Sequence, residues 1–141
     1  MSNDYDSDFF GWTQRQAALL KKRAHNDEID WDNVAEEIET LGRSDRREIR
    51  SRLDTILLHS IKLASQPNHR SARKWGDTVF EQRRKLKGVL EESPSLGDEP
   101  AEKLKESYAA MRKRALRLRF ADIPESCPWT IDNVLADDWL P

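Results

Sequence analysis

Apolar side chains recur at intervals of three and four residues along most of this 141-residue chain, and this spacing constrains the fold more than any other feature. It places the apolar residues on one face of an α-helix, whereas a half-buried strand would alternate apolar and polar residues. Sustained alternation is absent, and so are the Asn-Gly and Asp-Gly pairs typical of tight hairpins. The sequence therefore predicts an all-α protein.

Capping and helix-breaking residues set the predicted limits of the helices. Asp30 or Asp32 is the predicted N-cap of the second helix, and Thr130 is that of a short helix near the C-terminus, because their side-chain oxygens can accept from free backbone N–H groups. Pro67 disfavours helix at the residue before it. Four main helices are predicted over residues of about 7–24, 31–66, 70–92 and 99–120, with the segment SPSLGDEP as a turn or loop.

The apolar stripe of the second predicted helix changes direction along its length. Its first part carries Val34, Ile38 and Leu41, and its later part carries Leu53, Ile56, Leu57 and Ala64. At about 100° per residue, Leu53 lies about 100° away from Val34, so the two stripes do not align on one straight helix. We therefore expect a break, a kink or a change of packing partner near Gly42 and Ser44.

The length of the chain is typical of one compact domain. We predict a single-domain bundle over residues 1–141, with the short C-terminal helix docked on the four main helices. Cys127 is the only cysteine, which is typical of a reducing cytosol, and neither a signal peptide nor an apolar run of about 18 residues is visible. The sequence predicts a cytoplasmic protein.

Several ordered blocks resemble one known family. The blocks are YDSDFFGWTQRQAALL, NVAEEIETLGRSDRREIRSRLDTILLHSIKL, EQRRKL, SPSL and CPWTIDNVLADDWLP, which together span residues 5–141. In that order they are similar to a bacterial family of small helical proteins known as domain of unknown function twenty-nine. The resemblance implies an all-α bundle in a bacterial cytosol and no established activity, and a fold does not by itself define a function.

Four polar residues lie close to the predicted apolar stripes. Three glutamates lie close together in the second predicted helix. Glu36 and Glu39 point away from Val34, whereas Glu37 lies at the edge of the apolar stripe that contains Val34. Of the three, Glu37 is therefore the one expected to face inward. His59, Gln82 and Arg83 are likewise placed on or beside apolar faces. We predict that Glu37, His59, Gln82 and Arg83 form one polar cluster; the alternative is that each meets a separate local partner.

Most catalytic motifs are missing from the sequence. There is no Glu-x-x-His, no His-x-x-x-His, no phosphate-binding glycine loop and no Gly-x-Ser-x-Gly. Cys127 lies between Ser126 and Pro128 without an evident activating partner, and is expected to be a small apolar residue. The sequence predicts neither a metal site nor a cofactor, and it leans against an enzyme.

The middle of the chain is basic. Residues 43–87 contain 13 basic and 5 acidic side chains, although the net charge of the whole chain is −2. These cations either form a surface for an anionic partner or pair with the acidic flanks. The candidate anion-binding residues are Arg70, Arg73, Lys74, Arg84 and Lys87.

Three functions are consistent with this pattern. The leading hypothesis is a non-catalytic module for protein–protein interaction or regulation, because eleven aromatic residues can supply both a core and an exposed anchor. The alternative is a nucleic-acid-binding regulator that uses residues 43–87. The third is a metal-dependent or hydrolytic enzyme built around Glu37, His59 and Arg83. Neither the partner nor the oligomeric state follows from the sequence.

Overall fold

A computed structural model describes residues 4–22 and 30–141, and most of these residues are helical. The helices are α1 (Asp4–Ser7), α2 (Phe9–Lys22), α3 (Trp31–Ser65), α4 (Ala72–Glu92), a 3-10 helix at Pro94–Leu96, α5 (Glu99–Arg117) and α6 (Ile131–Leu135). No strand occurs in these two ranges. The predicted all-α fold, with four long helices and a short C-terminal one, is confirmed. Within the described residues, no helix is both long enough and apolar enough to cross a bilayer.

The residue contacts divide the chain into two compact units. Unit 1 consists of Met1–Glu48 and Val89–Gly97, and unit 2 consists of Ile49–Gly88 and Asp98–Pro141. Each unit therefore combines segments that are distant in the sequence. A single domain over residues 1–141 stays a prediction.

Helix α3 is continuous over 35 residues, so a break near Gly42 and Ser44 does not occur, whereas the boundary between the two units lies within this helix, after Glu48. The buried residues Ala35, Gly42 and Ile49 follow one another at seven-residue intervals, and a line of this spacing drifts by only about 20° per step. Val34 and Leu41, by contrast, are 40% and 52% exposed. The buried stripe begins at Ala35, about 100° from the predicted one.

Gly42 is buried where α2 approaches α3 in unit 1. A Cβ atom at this position would press on the Thr13 hydroxyl and would lie 3.0 Å from Nε2 of Gln14 and 3.2 Å from Cδ1 of Phe10. Side chains in well-packed interiors do not approach one another so closely. The glycine is therefore explained by the close passage of α2 and not by a helix break.

The start of the chain also departs from the predicted helix over residues 7–24. Asp8 separates α1 from α2, and its carboxylate accepts hydrogen bonds from the backbone N–H of Gly11 and from the Ser95 hydroxyl at 3.4 and 2.9 Å. The buried residues of α2 are Gly11, Thr13 and Ala17, whereas Leu19 is 48% exposed. The predicted end at residue 24 lies outside the described residues.

Two of the predicted N-caps are confirmed. Oδ1 of Asp30 accepts a hydrogen bond from the backbone N–H of Asn33 at 3.3 Å, and Asp32 lies in the first turn of α3. Thr130 caps α6 and forms a reciprocal capping box with Asn133. Both caps satisfy N–H groups that a helix leaves free at its start.

The core of unit 2 is formed by apolar side chains from four helices. These are Leu53, Ile56, Leu57 and Ile61 of α3, Trp75, Val79 and Leu86 of α4, Tyr108 and Ala115 of α5, and Val134 of α6. Ala64 of α3, by contrast, is exposed.

Arg83 connects α4 to the C-terminal segment of unit 2. Its side chain is only 1% exposed. Nε donates to the carbonyl oxygen of Val134 at 2.9 Å, and the two Nη atoms donate to those of Asp137 and Trp139 at 2.9 and 2.7 Å. One guanidinium thus satisfies three backbone acceptors that would otherwise lie unpaired at the end of α6. The same segment is held by Trp129, whose ring packs edge-on against Tyr108 and Trp139.

A pair of glycine substitutions tests the close approach of α2 to Gly42. Gly42→Ala should lower the free energy of unfolding by about 1–3 kcal/mol, because the new methyl group overpacks the contact with Thr13. Gly88→Ala is the matched control in α4, where a Cβ atom meets nothing within 4 Å, and it should raise stability by about 0.5–1 kcal/mol. Urea denaturation measures both changes. Stabilisation by Gly42→Ala would contradict the close approach.

A neighbouring pair of arginines tests the role of Arg83. Arg83→Lys should cost about 3 kcal/mol, because an ammonium cannot reach three separate carbonyl groups and leaves buried acceptors unpaired. Arg84→Lys should change stability by less than about 0.5 kcal/mol, since Arg84 is exposed and its partner among the described residues is Glu81. Hydrogen exchange should show faster exchange at residues 129–141 in the first variant only. Equal losses in the two variants would disprove the role of Arg83.

Candidate functional site

Among the described residues, Glu36 and Glu39 of α3 form ion pairs in unit 1, and Glu37 forms none. Glu39 is half-buried and pairs with Lys21 of α2 and, at 3.5 Å, with Arg43. Glu36 pairs with Arg43 at 2.9 Å. Glu37 is exposed, so the expectation that it faces inward is wrong. Because the buried face runs through Ala35 and Gly42, Glu39 is the glutamate beside it.

The predicted cluster residues in unit 2 each have their own partner. Nδ1 of His59 lies 2.9 Å from the carbonyl oxygen of Thr55, one turn earlier in α3. The side-chain oxygen of Gln82 accepts from Nη1 of Arg52 at 2.8 Å. Arg83 is occupied by the three carbonyl groups of the C-terminal segment. Their hydrogen bonds thus follow the alternative of separate local partners, and Glu37 belongs to unit 1.

The predicted anion-binding residues fall into two groups. Arg84 pairs with Glu81 at 2.8 Å, and Lys87 pairs with Asp137. Arg70, Arg73 and Lys74 are exposed, and none of the three forms an ion pair with another described residue. Only the second group leaves its charge available to a ligand.

The start of α4 is brought next to the end of α5 by aromatic contacts. The ring of Trp75 packs on that of Phe120, with centroids 5.6 Å apart, and the ring of His69 stacks on Trp75 at 4.6 Å. The Ser65 hydroxyl at the end of α3 donates to the carbonyl oxygen of Ala121 at 2.7 Å. Three helix ends therefore meet at one end of unit 2.

This convergence collects cations that are far apart in the sequence. We call them the cationic end: Lys62, Arg70, Arg73, Lys74, Arg114, Arg117 and Arg119. No member of this group pairs with an acid among the described residues. Asp77 and Asp122 are the exposed acids on its border. The start of α4 has no acidic residue in its first turn, so the helix dipole adds to the positive potential.

Sequence reasoning did not select Lys62, Arg114, Arg117 or Arg119 as binding residues. The available signal was the segment MRKRALRLR, with its closely spaced basic residues. Leu118 is the C-cap of α5 and is 50% exposed. Leu116 is also exposed. Apolar and cationic side chains are therefore interleaved on this surface.

The end of α5 has a left-handed residue where glycine is usual. Arg119 has φ 72°, and the N–H groups of Arg119 and Phe120 donate to the carbonyl oxygens of Leu116 and Ala115 at 3.0 and 3.1 Å. This is the Schellman arrangement, in which an L-residue costs about 1 kcal/mol more than glycine. It reverses the chain so that Phe120 reaches Trp75 and Lys62.

Burial alters the electrostatics of two residues of α3. Burial lowers the pKa of the His59 imidazole, the hydrogen bond to Thr55 opposes this change, and the charges of Lys62 and Arg114 lower the pKa further. Burial also lowers the pKa of Lys62, and the charge of Arg114 acts in the same direction. The Nζ atom of Lys62 lies 5.8 Å from the ring centroids of both Trp75 and Phe120, a distance at which an aromatic face attracts a cation.

A cavity of about 200 Å³ lies beside the cationic end in unit 2. Its walls include Ile61, Ser65, Tyr108, Ile123 and Trp129. The cavity is large enough for a bulky apolar side chain. No group of three or more metal-ligating side chains is found in residues 4–22 and 30–141.

These features define an all-helical protein with a cationic and partly apolar surface on unit 2. The chain belongs to the family described as "Domain of unknown function DUF29", whose model matches residues 5–140. A search of curated proteins finds no match. Among solved structures, the chain is similar to an alpha-helical protein of unknown function from Rhodospirillum rubrum ATCC 11170. The TM-score is 0.79 and the identity 24%, over 99% of this chain and 93% of that one. This likeness concerns the fold.

The acid side of the stability profile tests the environment of His59. The folded-state pKa of His59 is below the ordinary value of 6.5, so the unfolded chain binds more protons as the pH falls through 6.5. The free energy of unfolding therefore decreases as the pH falls below about 6.5. His59→Gln should reduce the loss of unfolding free energy between about pH 7 and pH 5. An unchanged profile in His59→Gln would refute the assignment.

Proposed function

We propose that this protein is a non-catalytic interaction module that binds an acidic, partly apolar segment of another protein at the cationic end of unit 2. The observation that carries the proposal is the meeting of seven cations, unpaired within the described residues, at one place in the fold. Such a surface attracts an anionic partner and accelerates its encounter.

The exposed leucines favour a protein over a nucleic acid. Leu116 and Leu118 alternate with Arg114, Arg117 and Arg119 in the sequence, and both leucines are more than 40% exposed. An acidic segment with its own apolar residues can pair with the cations and pack on the leucines. The cavity near Ile61 can receive one apolar side chain of that segment.

Nucleic acid is the second candidate, because the unpaired cations are suited to phosphate groups. The aromatic side chains weigh against it. Trp75 is only 9% exposed, and its ring already contacts His69 and Phe120. Proteins that bind single strands without sequence preference stack bases on accessible aromatic faces.

Catalysis is less well supported by the residues that the enzyme hypothesis needs. The donors of Arg83 are occupied by three backbone carbonyl groups, and Glu37 belongs to unit 1. We further propose a bacterial cytoplasmic location, for which the single free cysteine is the support.

Charge reversal in two matched triple variants tests the proposed function. The first variant combines Arg70→Glu, Arg73→Glu and Lys74→Glu at the cationic end. The control combines Lys22→Glu, Arg47→Glu and Lys105→Glu, three exposed cations outside the cationic end. The two variants have the same net charge, so any difference between them reports position. Fluorescence anisotropy measures binding to a labelled Glu/Leu peptide and to a labelled single-stranded RNA of equal charge.

The wild type should bind the peptide more tightly than the RNA. The first variant should lose at least about tenfold in affinity for the peptide, and the control variant should lose less than about threefold. Binding should weaken with added salt, since exposed charges are screened over about 10 Å at 0.1 M. Tighter binding of the RNA would replace the proposal with the second candidate, and equal losses in the two variants would refute the assignment of the surface.

A further inference from the structure

Lys62 of the cationic end has two further basic side chains as neighbours, His59 and Arg114. His59 and Lys62 are three residues apart on α3, so their side chains are neighbours on one face of the helix. The charge of Arg114 of α5 lowers the pKa of both side chains. Lys62 and His59 are half-buried, whereas Arg114 is exposed.

The direction of the helices places Arg114 at about the level of Lys62 along the axis of α3. In unit 2, Arg50 of α3 pairs with Glu99 at the start of α5, and Ser107 of α5 hydrogen-bonds the carboxylate of Asp54 of α3. The two helices therefore run in the same direction. Lys62 lies eight residues beyond Asp54, and Arg114 lies seven beyond Ser107, which are rises of about 12 and 11 Å.

The charges at this place are not balanced by the protein. Lys62 and Arg114 have no carboxylate partner among the described residues. Trp75 and Phe120 shield one side of the Lys62 ammonium from solvent, and charges near a low-dielectric surface interact more strongly than in water. An anion bound here would relieve the repulsion between the cations.

The number of charges selects the kind of anion. Lys62 and Arg114 together supply two positive charges, and His59 can add a third if it takes up a proton. A carboxylate would neutralise only one of them, whereas a phosphate monoester carries about −1.5 to −2 at pH 7 and has three acceptor oxygens. Arginine is also well suited to two-point recognition of phosphate.

We propose that His59, Lys62 and Arg114 form a subsite for a phosphate monoester dianion, presented as a phosphorylated side chain within the acidic segment. The subsite rests on the proposed function, since that segment is the partner of the cationic end. His59 takes up a proton when the dianion binds, because the added negative charge offsets the repulsion from Lys62 and Arg114. Phosphorylation of the partner thereby strengthens its binding.

Three peptides of one acidic sequence test this subsite by fluorescence anisotropy. They carry serine, glutamate or phosphoserine at a single central position, and inorganic phosphate is titrated separately. The variants are Lys62→Gln and Arg114→Gln, and the control is Lys105→Gln, an exposed residue more than two turns earlier in α5. The NMR signal of the His59 imidazole gives a second readout, and circular dichroism checks that each variant is folded.

The phosphoserine peptide should bind the wild type about tenfold more tightly than the serine peptide, with the glutamate peptide close to the serine one. This gain should disappear in Lys62→Gln and in Arg114→Gln and persist in Lys105→Gln. The pKa of His59 should rise when the phosphopeptide binds. Equal affinity for the three peptides, or a gain that survives both cluster substitutions, would overturn the subsite.

A further outcome separates this proposal from the proposed function. Saturable binding of inorganic phosphate that moves the His59 signal and is lost in Lys62→Gln, together with no binding of any peptide, would support the subsite for free phosphate. The same result would overturn the acidic protein segment as the partner. Peptide binding that depends on Arg70, Arg73 and Lys74 but is equally tight with and without the phosphate would support the proposed function and overturn the subsite.

Discussion

The three hydrogen bonds donated by Arg83 hold the C-terminal part of unit 2 in place. A buried guanidinium is stabilised only when its donors find acceptors, and the carbonyl groups of Val134, Asp137 and Trp139 need donors in turn. This mutual requirement fixes α6 against α4. Trp129 can then close over Tyr108 and form a wall of the cavity beside the cationic end. The candidate surface therefore depends on a polar contact in the interior.

In unit 1, a comparable role belongs to small residues. Ala35 and Gly42 lie on the buried face of α3, and they allow α2 to approach so closely that Gly42 has no room for a Cβ atom. Larger apolar residues on the same turns, Val34 and Leu41, remain partly exposed. Hydrophobicity alone would favour burial of Val34 and Leu41 over burial of Ala35 and Gly42. Packing favours the small residues because the distance between two helices depends on the side chains that separate them.

The two explanations for the basic middle of the chain each apply to part of it. Arg43, Arg50, Arg84 and Lys87 pair with acids within their own units. Arg70, Arg73 and Lys74 form no ion pair with another described residue, and they lie near the start of α4, where the ring of Trp75 packs on that of Phe120 beyond the end of α5. Exposed ion pairs contribute little to stability, so the arrangement of the unpaired cations matters more for binding than the number of pairs does for folding.

The order and type of the helices follow from local chemistry, which is why they could be predicted. Apolar spacing, Asp30 and Thr130 as caps, and Pro67 as a breaker act over a few residues and need no distant partner. The apolar stripe of α4, which runs from Trp75 to Val89, likewise follows from the spacing of residues along the chain. The candidate site could be predicted only in part: Arg70, Arg73 and Lys74 were selected, but their partners in the cationic end were not.

Contacts between distant segments decided the rest. Whether Val34 or Ala35 faces the interior depends on the approach of α2, and the role of Arg83 depends on carbonyl groups more than 50 residues away. Lys62 and Arg114 become neighbours because α3 and α5 run in the same direction. A sequence records which charges and side chains exist, but Coulomb and packing energies depend on distance, and those distances are set by the tertiary structure.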